Sequence, residues 1–311
     1  MPKQGELVLL ISPRGKRYMR RVEPENDIHG TDGLLKMTDI MEAGYGSVVY
    51  THKGKPYRVQ RPALHDLVTG VKRQTQVIYP KDIGYICMKL GVGNGTKIIE
   101  AGSGSGSLTM ALSWFAGDRG EIHTHEARLE FMNLCRRNLD WAGVGQNVTL
   151  YNHDISNGFL INDADALFLD VRDPWEYVRH IPSAVKPGAM CGFLVPTIDQ
   201  VSSLLVELEK GPFDEVEVSE LLLRKWKPVP DRMRPSDRMV AHTGFLIFCR
   251  HQEGLEEINA QKSLGTRERK QEAARLERLG LSSIPEDALC GGGIGPVDGD
   301  EADDDGGLCE D

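Results

Sequence analysis

No run of about twenty consecutive apolar residues occurs in this 311-residue chain, so no membrane-spanning segment is expected. The opening residues, Met1-Pro2-Lys3-Gln4-Gly5-Glu6, lack the charged-then-apolar order of a secretion signal, which makes a cytoplasmic location the expectation. No two of the six cysteines stand at a C-x-x-C spacing, which argues against a zinc site, and no metal is expected. Cys87, Cys135, Cys191 and Cys249 fall instead within apolar runs, as small reduced core residues do. Lysine and arginine are missing after Arg278, where the chain carries ten acids. Those ten exceed the whole net charge of −9 and leave residues 1–278 at +1. Within residues 1–90, fifteen Lys/Arg stand against nine Asp/Glu, so the N-terminal third is basic and suits a negatively charged partner.

What is present divides the chain into five stretches. Residues 1–62 read as short strands: Leu7–Ile11 is apolar, Ser12-Pro13-Arg14-Gly15 is a turn signal, and Gly30, Gly33, Gly44, Gly46 and Gly54 punctuate the rest. A small β-domain is expected there, a barrel being one form of it. Residues 63–94 form a connecting segment leading to a helix that begins near Pro80, since proline is tolerated in a first helical turn. Residues 95–252 alternate strands and helices. Lys97–Ala101 stops at a glycine run, and Leu108, Ala111, Leu112 and Phe115 then recur with helical period. A strand ends at Glu126, a helix covers about 128–142, and a further strand ends near Asp154. Ala166–Leu169 is wholly apolar and ends at Asp170. Met190–Val195 precedes a helix with Ile198, Val201, Leu205 and Leu208 on one face, and closing strands are expected around 214–222 and 244–250. This alternation predicts an α/β, doubly wound, mostly parallel Rossmann-like sheet. Residues 253–281 read as a charged, solvated helix and 282–311 as a disordered acidic tail.

The chemistry gathers at predicted strand ends. Glycines after the first strand, in Glu100-Ala101-Gly102-Ser103-Gly104-Ser105-Gly106, let the backbone turn sharply and approach a ligand closely. Dinucleotide-binding domains also use such loops, but the spacing here is G-x-G-x-G, not G-x-G-x-x-G. Glu100 precedes the first glycine, where it can meet a positively charged amine. These details favour S-adenosylmethionine over a nicotinamide dinucleotide. Glu126, twenty residues beyond Gly106, stands where such folds place an acid on two ribose hydroxyls. His153-Asp154 ends the next strand, with Asp154 placed to accept the cofactor's adenine amino group. Asp170 ends the apolar strand and faces the sulfonium; Pro174 and Trp175 would give its pocket a rigid, flat wall of the kind a nucleobase needs. Asp173 suits a helix cap better than Asp170 does. Tyr79, a lone tyrosine before Pro80, reads as structural by itself and as a second pocket wall in this company. Basic residues cluster at Arg14, Lys16, Arg17, Arg20 and Arg21, at Lys72-Arg73, and at Arg224, Lys225, Lys227, Arg232, Arg234 and Arg238 around Trp226, which favours phosphate binding.

Over most of residues 5–252 the sequence resembles the TrmI family of bacterial and archaeal tRNA (adenine-N1)-methyltransferases, relatives of the eukaryotic Trm61 catalytic subunit. The segments that carry the resemblance are Gln76–Asp82, Glu100–Gly106, Asp170–Trp175 and Met239–Leu246. The resemblance implies methylation of N1 of the T-loop adenine at tRNA position 58, with tRNA as partner and a homotetrameric assembly. It implies that Asp170 is the catalytic acidic residue, with Tyr79 beside it in the pocket. The cofactor would lie against Gln76, Glu100, Gly102, Ser103, Gly104, Ser105, Gly106, Ser107, Glu126, His153, Asp154 and Asp170. Tyr79, Pro174, Trp175 and His242 would meet the substrate. Two alternatives stand beside this: a protein isoaspartate-type methyltransferase of the same fold, and a non-catalytic tRNA-binding partner subunit. The acidic tail has no counterpart in the family pattern.

Overall fold

Short apolar runs broken by turns make the first sixty residues strand-rich. In the computed structural model, which describes residues 1–74, 76–255 and 266–278, these runs form β1 (Leu7–Ile11), β2 (Arg17–Arg21), β5 (Val48–Tyr50) and β6 (Pro56–Gln60). They pair antiparallel in the order β2-β1-β6-β5, with a separate hairpin of β3 (Ile28–Gly30) and β4 (Gly33–Leu35). β2 and β5 remain the edges of this sheet, so it does not close into a barrel among the described residues. A short helix, α1 (Met37–Ala43), buries Met37 and Ile40 against Val8, Leu10 and Val59. The connecting segment is more regular than expected: α2 (Leu64–Gly70) precedes α3 (Pro80–Lys89), whose first residue is the proline.

The larger sheet is built from β7 (Lys97–Ala101), β8 (Glu121–Glu126), β9 (Val148–Asn152), β10 (Ala164–Leu169), β11 (Val185–Val195), β12 (Phe213–Ser219) and β15 (Phe245–His251). A two-residue ladder, β13 (Trp226–Lys227) with β14 (Arg234–Pro235), lies between the last two in sequence. The order is β12-β15-β11-β10-β7-β8-β9, and only β15 runs against its neighbours. Parallel strands covered on both faces must be apolar on both, and alternate residues divide accordingly. Ile98, Ala166 and Phe168 face one core with α4 (Ser107–Ala116) and α5 (Leu129–Ala142). Ile99, Ala101, Leu167 and Leu169 face the other, with α6 (Ile198–Lys210) and the 3₁₀ turn Pro174–His180. Leu7 of β1 packs into the first of these cores, and Cys87, Cys135, Cys191 and Cys249 are free and buried.

Two predicted helical faces shift in register. In α4 the buried positions run unbroken from Ser107 to Ser113, while Phe115 is exposed, because the helix lies between the sheet and α2, α3 and α5. In α6, Leu204 is buried and Ile198 is exposed, whereas Leu205 only flanks the core. The first closing strand stops at Ser219 rather than continuing to residue 222. Of the charged segment, α7 (Thr266–Arg278) is helical and is taken by itself; the tail from residue 282 lies outside the described residues.

Candidate active site

The strand order reverses between β7 and β10: β8 and β9 follow on one side, β11 on the other. Open α/β sheets leave a crevice beyond their strand ends at such a point. Gly102 and Asp170 are the first residues after these two strands, and the Asp170 amide donates to the Ala101 carbonyl at 2.9 Å. The join has no room to spare. A Cβ on Gly102, where φ is +88°, would stand 2.1 Å from the Asp170 carbonyl oxygen. At Gly106, where φ is +79°, it would stand 2.7 Å from the Cys135 sulfur. The glycine run is therefore set by close packing as well as by backbone turning.

Two hollows meet at this join. A slot of about 20 Å³ is walled by Gln76, Val77 and Ile78 on one side and by Glu100, Gly102–Ser105, Ser107 and Asp170 on the other. A cleft of about 230 Å³ is walled by Glu126, Arg128, His153, Asp154, Asp170 and Tyr177, among others. Asp170 and Gly102 belong to both. The acids predicted at successive strand ends thus converge, and Tyr79 is absent from both walls although its three predecessors line the slot.

These acids sit in different surroundings. Glu126 is buried, and its two oxygens accept from the Gly104 and Arg128 amides, both at 3.1 Å. Glu100, 1% exposed, accepts from Thr109 Oγ1 at 2.7 Å, and burial pushes its carboxyl up to about 7. Asp170 is half-buried and its carboxylate has no hydrogen-bond partner among the described residues. Burial, then the charge of Glu126, pushes it up to about 7 as well. Asp154 is exposed; its carboxylate caps the following turn through the Ser156 amide at 2.9 Å, and that bond holds it below the usual carboxylate range. His125, in the cleft wall, is held near 4 by burial and is therefore neutral at physiological pH.

The remaining predicted residues frame the site. Pro174 is buried and Trp175 packs against the core below the sheet, leaving Tyr177, one 3₁₀ turn end further on, as the aromatic wall. Gln200 Nε2 donates to the Arg172 carbonyl at 2.8 Å, which ties α6 to the loop after Asp170. His242 meets Glu220 Oε1 through Nδ1 at 2.6 Å and the Pro196 carbonyl through Nε2 at 2.8 Å. Two acceptors on one ring favour the imidazolium, and its pKa rises, chiefly through Pro196. Beside it, Lys81 Nζ contacts Asp82 at 2.7 Å and Thr243 Oγ1 at 2.6 Å, joining the two motif segments across 162 residues. This buried tie explains why Lys81-Asp82 and Thr243 accompany the site without lining it. Sequence reasoning missed Arg128 and Tyr177; Arg128 follows the strand end at Glu126 by two residues, and Tyr177 lies on the turn that follows the strand end at Leu169.

The site suits S-adenosylmethionine. Ser103 and Ser107 bury side-chain hydroxyls that find no partner among the described residues, and both residues line the slot. Three carboxyls, Glu100, Glu126 and Asp170, converge where, among the described lining residues, Arg128 and Arg172 bring the opposing charge. Such an edge welcomes a ligand with a sulfonium and an ammonium and repels a pyrophosphate.

The description "tRNA methyltransferase complex GCD14 subunit" belongs to the family whose pattern matches residues 61–242. A *Methanocaldococcus jannaschii* protein, tRNA (adenine(57)-N(1)/adenine(58)-N(1))-methyltransferase TrmI, is 32% identical over 270 residues, covering 78% of this chain and 94% of its own length. A *Thermus thermophilus* tRNA (adenine(58)-N(1))-methyltransferase TrmI is 30% identical over 244 residues, covering 78% and 96%. The crystal structure of tRNA (m1A58) methyltransferase TrmI from *Aquifex aeolicus* superposes with a TM-score of 0.70 at 36% identity, covering 81% of this chain and 98% of that one. A *Thermotoga maritima* structure described as a SAM-dependent O-methyltransferase gives 0.76 at 39%, covering 80% and 94%.

Proposed function

The chain belongs to the GCD14/TrmI family of tRNA methyltransferases, and from that premise we propose how its own residues carry the reaction. It is an S-adenosylmethionine-dependent enzyme that methylates N1 of adenine 58 in tRNA. This displaces the isoaspartate alternative, and the intact glycine run and Asp170 speak against a non-catalytic partner subunit.

The observation that carries the residue-level reading is the bare Asp170 carboxylate at the strand-order reversal, shared by both hollows. Adenine N1 is already a lone-pair nucleophile, so no base need deprotonate it. The cofactor supplies an electrophilic methyl on a sulfonium, whose positive charge passes to the purine ring. Asp170 accepts a hydrogen bond from the adenine N6 amino group, which aims N1 at the methyl and stabilises the charge growing on the ring. Ionised Asp170 is required, and a bound cation draws its raised pKa back down. Glu126, held by two backbone amides, keeps lone pairs for the ribose hydroxyls. Glu100, Ser103 and Ser107 meet the methionyl end, with Gln76, Gly102, Gly104, Ser105 and Gly106 as the enclosing wall and His153 and Asp154 at the adenine end. On the substrate side, Tyr79, Pro174, Trp175 and His242 shape the pocket, three of them by fixing loops. The target adenine lies in a folded tRNA elbow and must leave its stack to reach them.

A cytoplasmic homotetramer, with residues 1–62 as a small β-domain, completes the reading. Exposed Leu222, Leu223, Trp226, Met233 and Val240 around the β13–β14 ladder support self-association, since apolar side chains so closely grouped on a surface are covered in an assembly. Among the described residues no helix is long and apolar enough to cross a membrane. Methyl transfer from labelled cofactor to unmodified tRNA, with the product mapped, tests the mechanism. Asp170→Ala is expected to lower kcat by roughly 10²–10³. Undiminished activity, or label away from adenine 58, overturns it.

A further inference from the structure

A wide cleft lies away from the strand-end site. It measures about 570 Å³ and shares no lining residue with either hollow around Asp170. Its size falls in the range of about 300–1,000 Å³ typical of ligand sites. Its lining includes Arg17 and Arg20 of β2, Lys72 after α2, and Arg137 and Trp141 of α5, with Asp66 the one acid. Two basic clusters more than fifty residues apart in the sequence therefore face each other, joined by an arginine neither cluster contains.

The cleft is a built feature. Arg21 donates to the Asp140 and Trp141 carbonyls at 3.0 and 2.6 Å, clamping β2 to the end of α5. Buried Asn138 accepts from the Lys72 amide at 3.1 Å and donates to the Lys72 carbonyl at 3.0 Å, which fixes that backbone against α5. Asn138 also donates to the Ser105 carbonyl at 2.8 Å, so the cleft wall and the glycine run share one support. A Cβ on Gly70 would stand 2.9 Å from the Trp141 ring, which keeps the indole at the wall. Arg17 is paired with Asp66. Lys72 and Arg137 are exposed, and their charged groups have no ion-pair partner among the described residues.

We propose that this cleft binds the phosphodiester backbone of the tRNA substrate, as a grip separate from the methyl-transfer site. The proposal rests on tRNA being the substrate. Unpaired cations on both walls of a fixed channel are the arrangement that neutralises phosphates, and each neutralised phosphate releases counterions. The indole and the guanidinium groups offer flat surfaces to a neighbouring base.

The test is tRNA binding and steady-state methylation by the full chain as a function of salt, for wild type, Lys72→Gln, Arg137→Gln and the double variant. Lys210→Gln, which removes the same charge from the opposite face of the sheet, is the control. Each cleft substitution is expected to weaken tRNA binding about three- to tenfold and to lower the slope of log affinity against log salt by about 0.7–0.9. The loss should fall on KM for tRNA rather than on kcat, with affinity for S-adenosylmethionine unmoved. Thermal melting confirms folding, and since neither side chain is paired the singles should melt with wild type. If the cleft variants bind with the wild-type slope and affinity while wild type methylates tRNA, the cleft proposal fails alone. If wild type neither binds nor methylates tRNA, the substrate reading fails with it.

Discussion

The two sides of the Gly102–Asp170 join differ in how much of their polar chemistry is already engaged. On the glycine side, Glu126 holds two amides, Glu100 holds a threonine, and glycine at 102 and 106 is fixed by atoms within 3 Å of any added Cβ. On the other side the Asp170 carboxylate is unpartnered among the described residues, and the loop beyond it is held by the Arg172 carbonyl and by the packing of Pro174 and Trp175. The first side is built to receive the same ligand each turnover, at low reorganisation. The second leaves its acceptor open for a base that arrives from a folded RNA. Carboxylates at one strand-end edge thus do different work because their donors and their burial differ.

The largest effect should come from filling the tight side. Gly102→Ala is expected to destabilise the fold by about 3 kcal/mol or more, combining left-handed backbone strain of roughly 1–2 kcal/mol with overpacking of roughly 1–3 kcal/mol. Thermal melting and cofactor titration would read this; a wild-type melt would show that the join is loose. Glu126→Gln comes next. It weakens a charge-assisted acceptor worth about 1.5–3 kcal/mol, so cofactor affinity should fall about ten- to a hundredfold in calorimetry, with a smaller change in single-turnover rate.

The open side should reveal itself through pH. Asp170 and Glu100 are both pushed up to about 7, so the cation-binding, ionised form dominates only above that value. kcat/KM for the cofactor should therefore rise through about pH 7, and kcat, measured with the cation bound, should keep its plateau to lower pH. The stability consequence has the opposite sense. A carboxyl whose folded pKa lies above its unfolded value holds its proton longer in the folded chain, so stability falls as pH rises from about 4 to 7. Asp170→Asn removes that loss and should stabilise the free protein at pH 8 by on the order of 2 kcal/mol, a figure discounted because the group is half-exposed. A less stable Asn variant would mean that the carboxylate has a partner. Trp175→Phe should give the smallest effect, about 1 kcal/mol in melting with little change in KM for tRNA, because Trp175 packs on the core while Tyr177 lines the cleft.

Strand ends were the most legible feature of the sequence. Lys97–Ala101 and Ala166–Leu169 are apolar runs too short for helices, and the residues that interrupt them, Gly102 and Asp170, meet in space because both strands end at the reversal. Helix faces were less legible: Leu204 and Leu205 are equally apolar, and only packing against Phe193 and Phe213 in the same core selects Leu204. Trp175 was read as a wall because of its flat aromatic surface, but a 3₁₀ turn repeats every three residues and brings Tyr177 to the cleft lining. Lys72 and Arg137 were invisible as partners. Nothing local in either segment records that Asn138 joins them.

The central claim is that Asp170 acts through the adenine N6 amino group, and a double cycle measures that coupling. Single-turnover methylation would be compared for wild type and Asp170→Ala on tRNA carrying adenosine or purine riboside at position 58, the latter lacking the amino group. The account predicts that the purine substitution slows wild type far more than it slows Asp170→Ala, with a coupling of about 1.5–3 kcal/mol. Penalties that simply add, leaving no coupling, would contradict it.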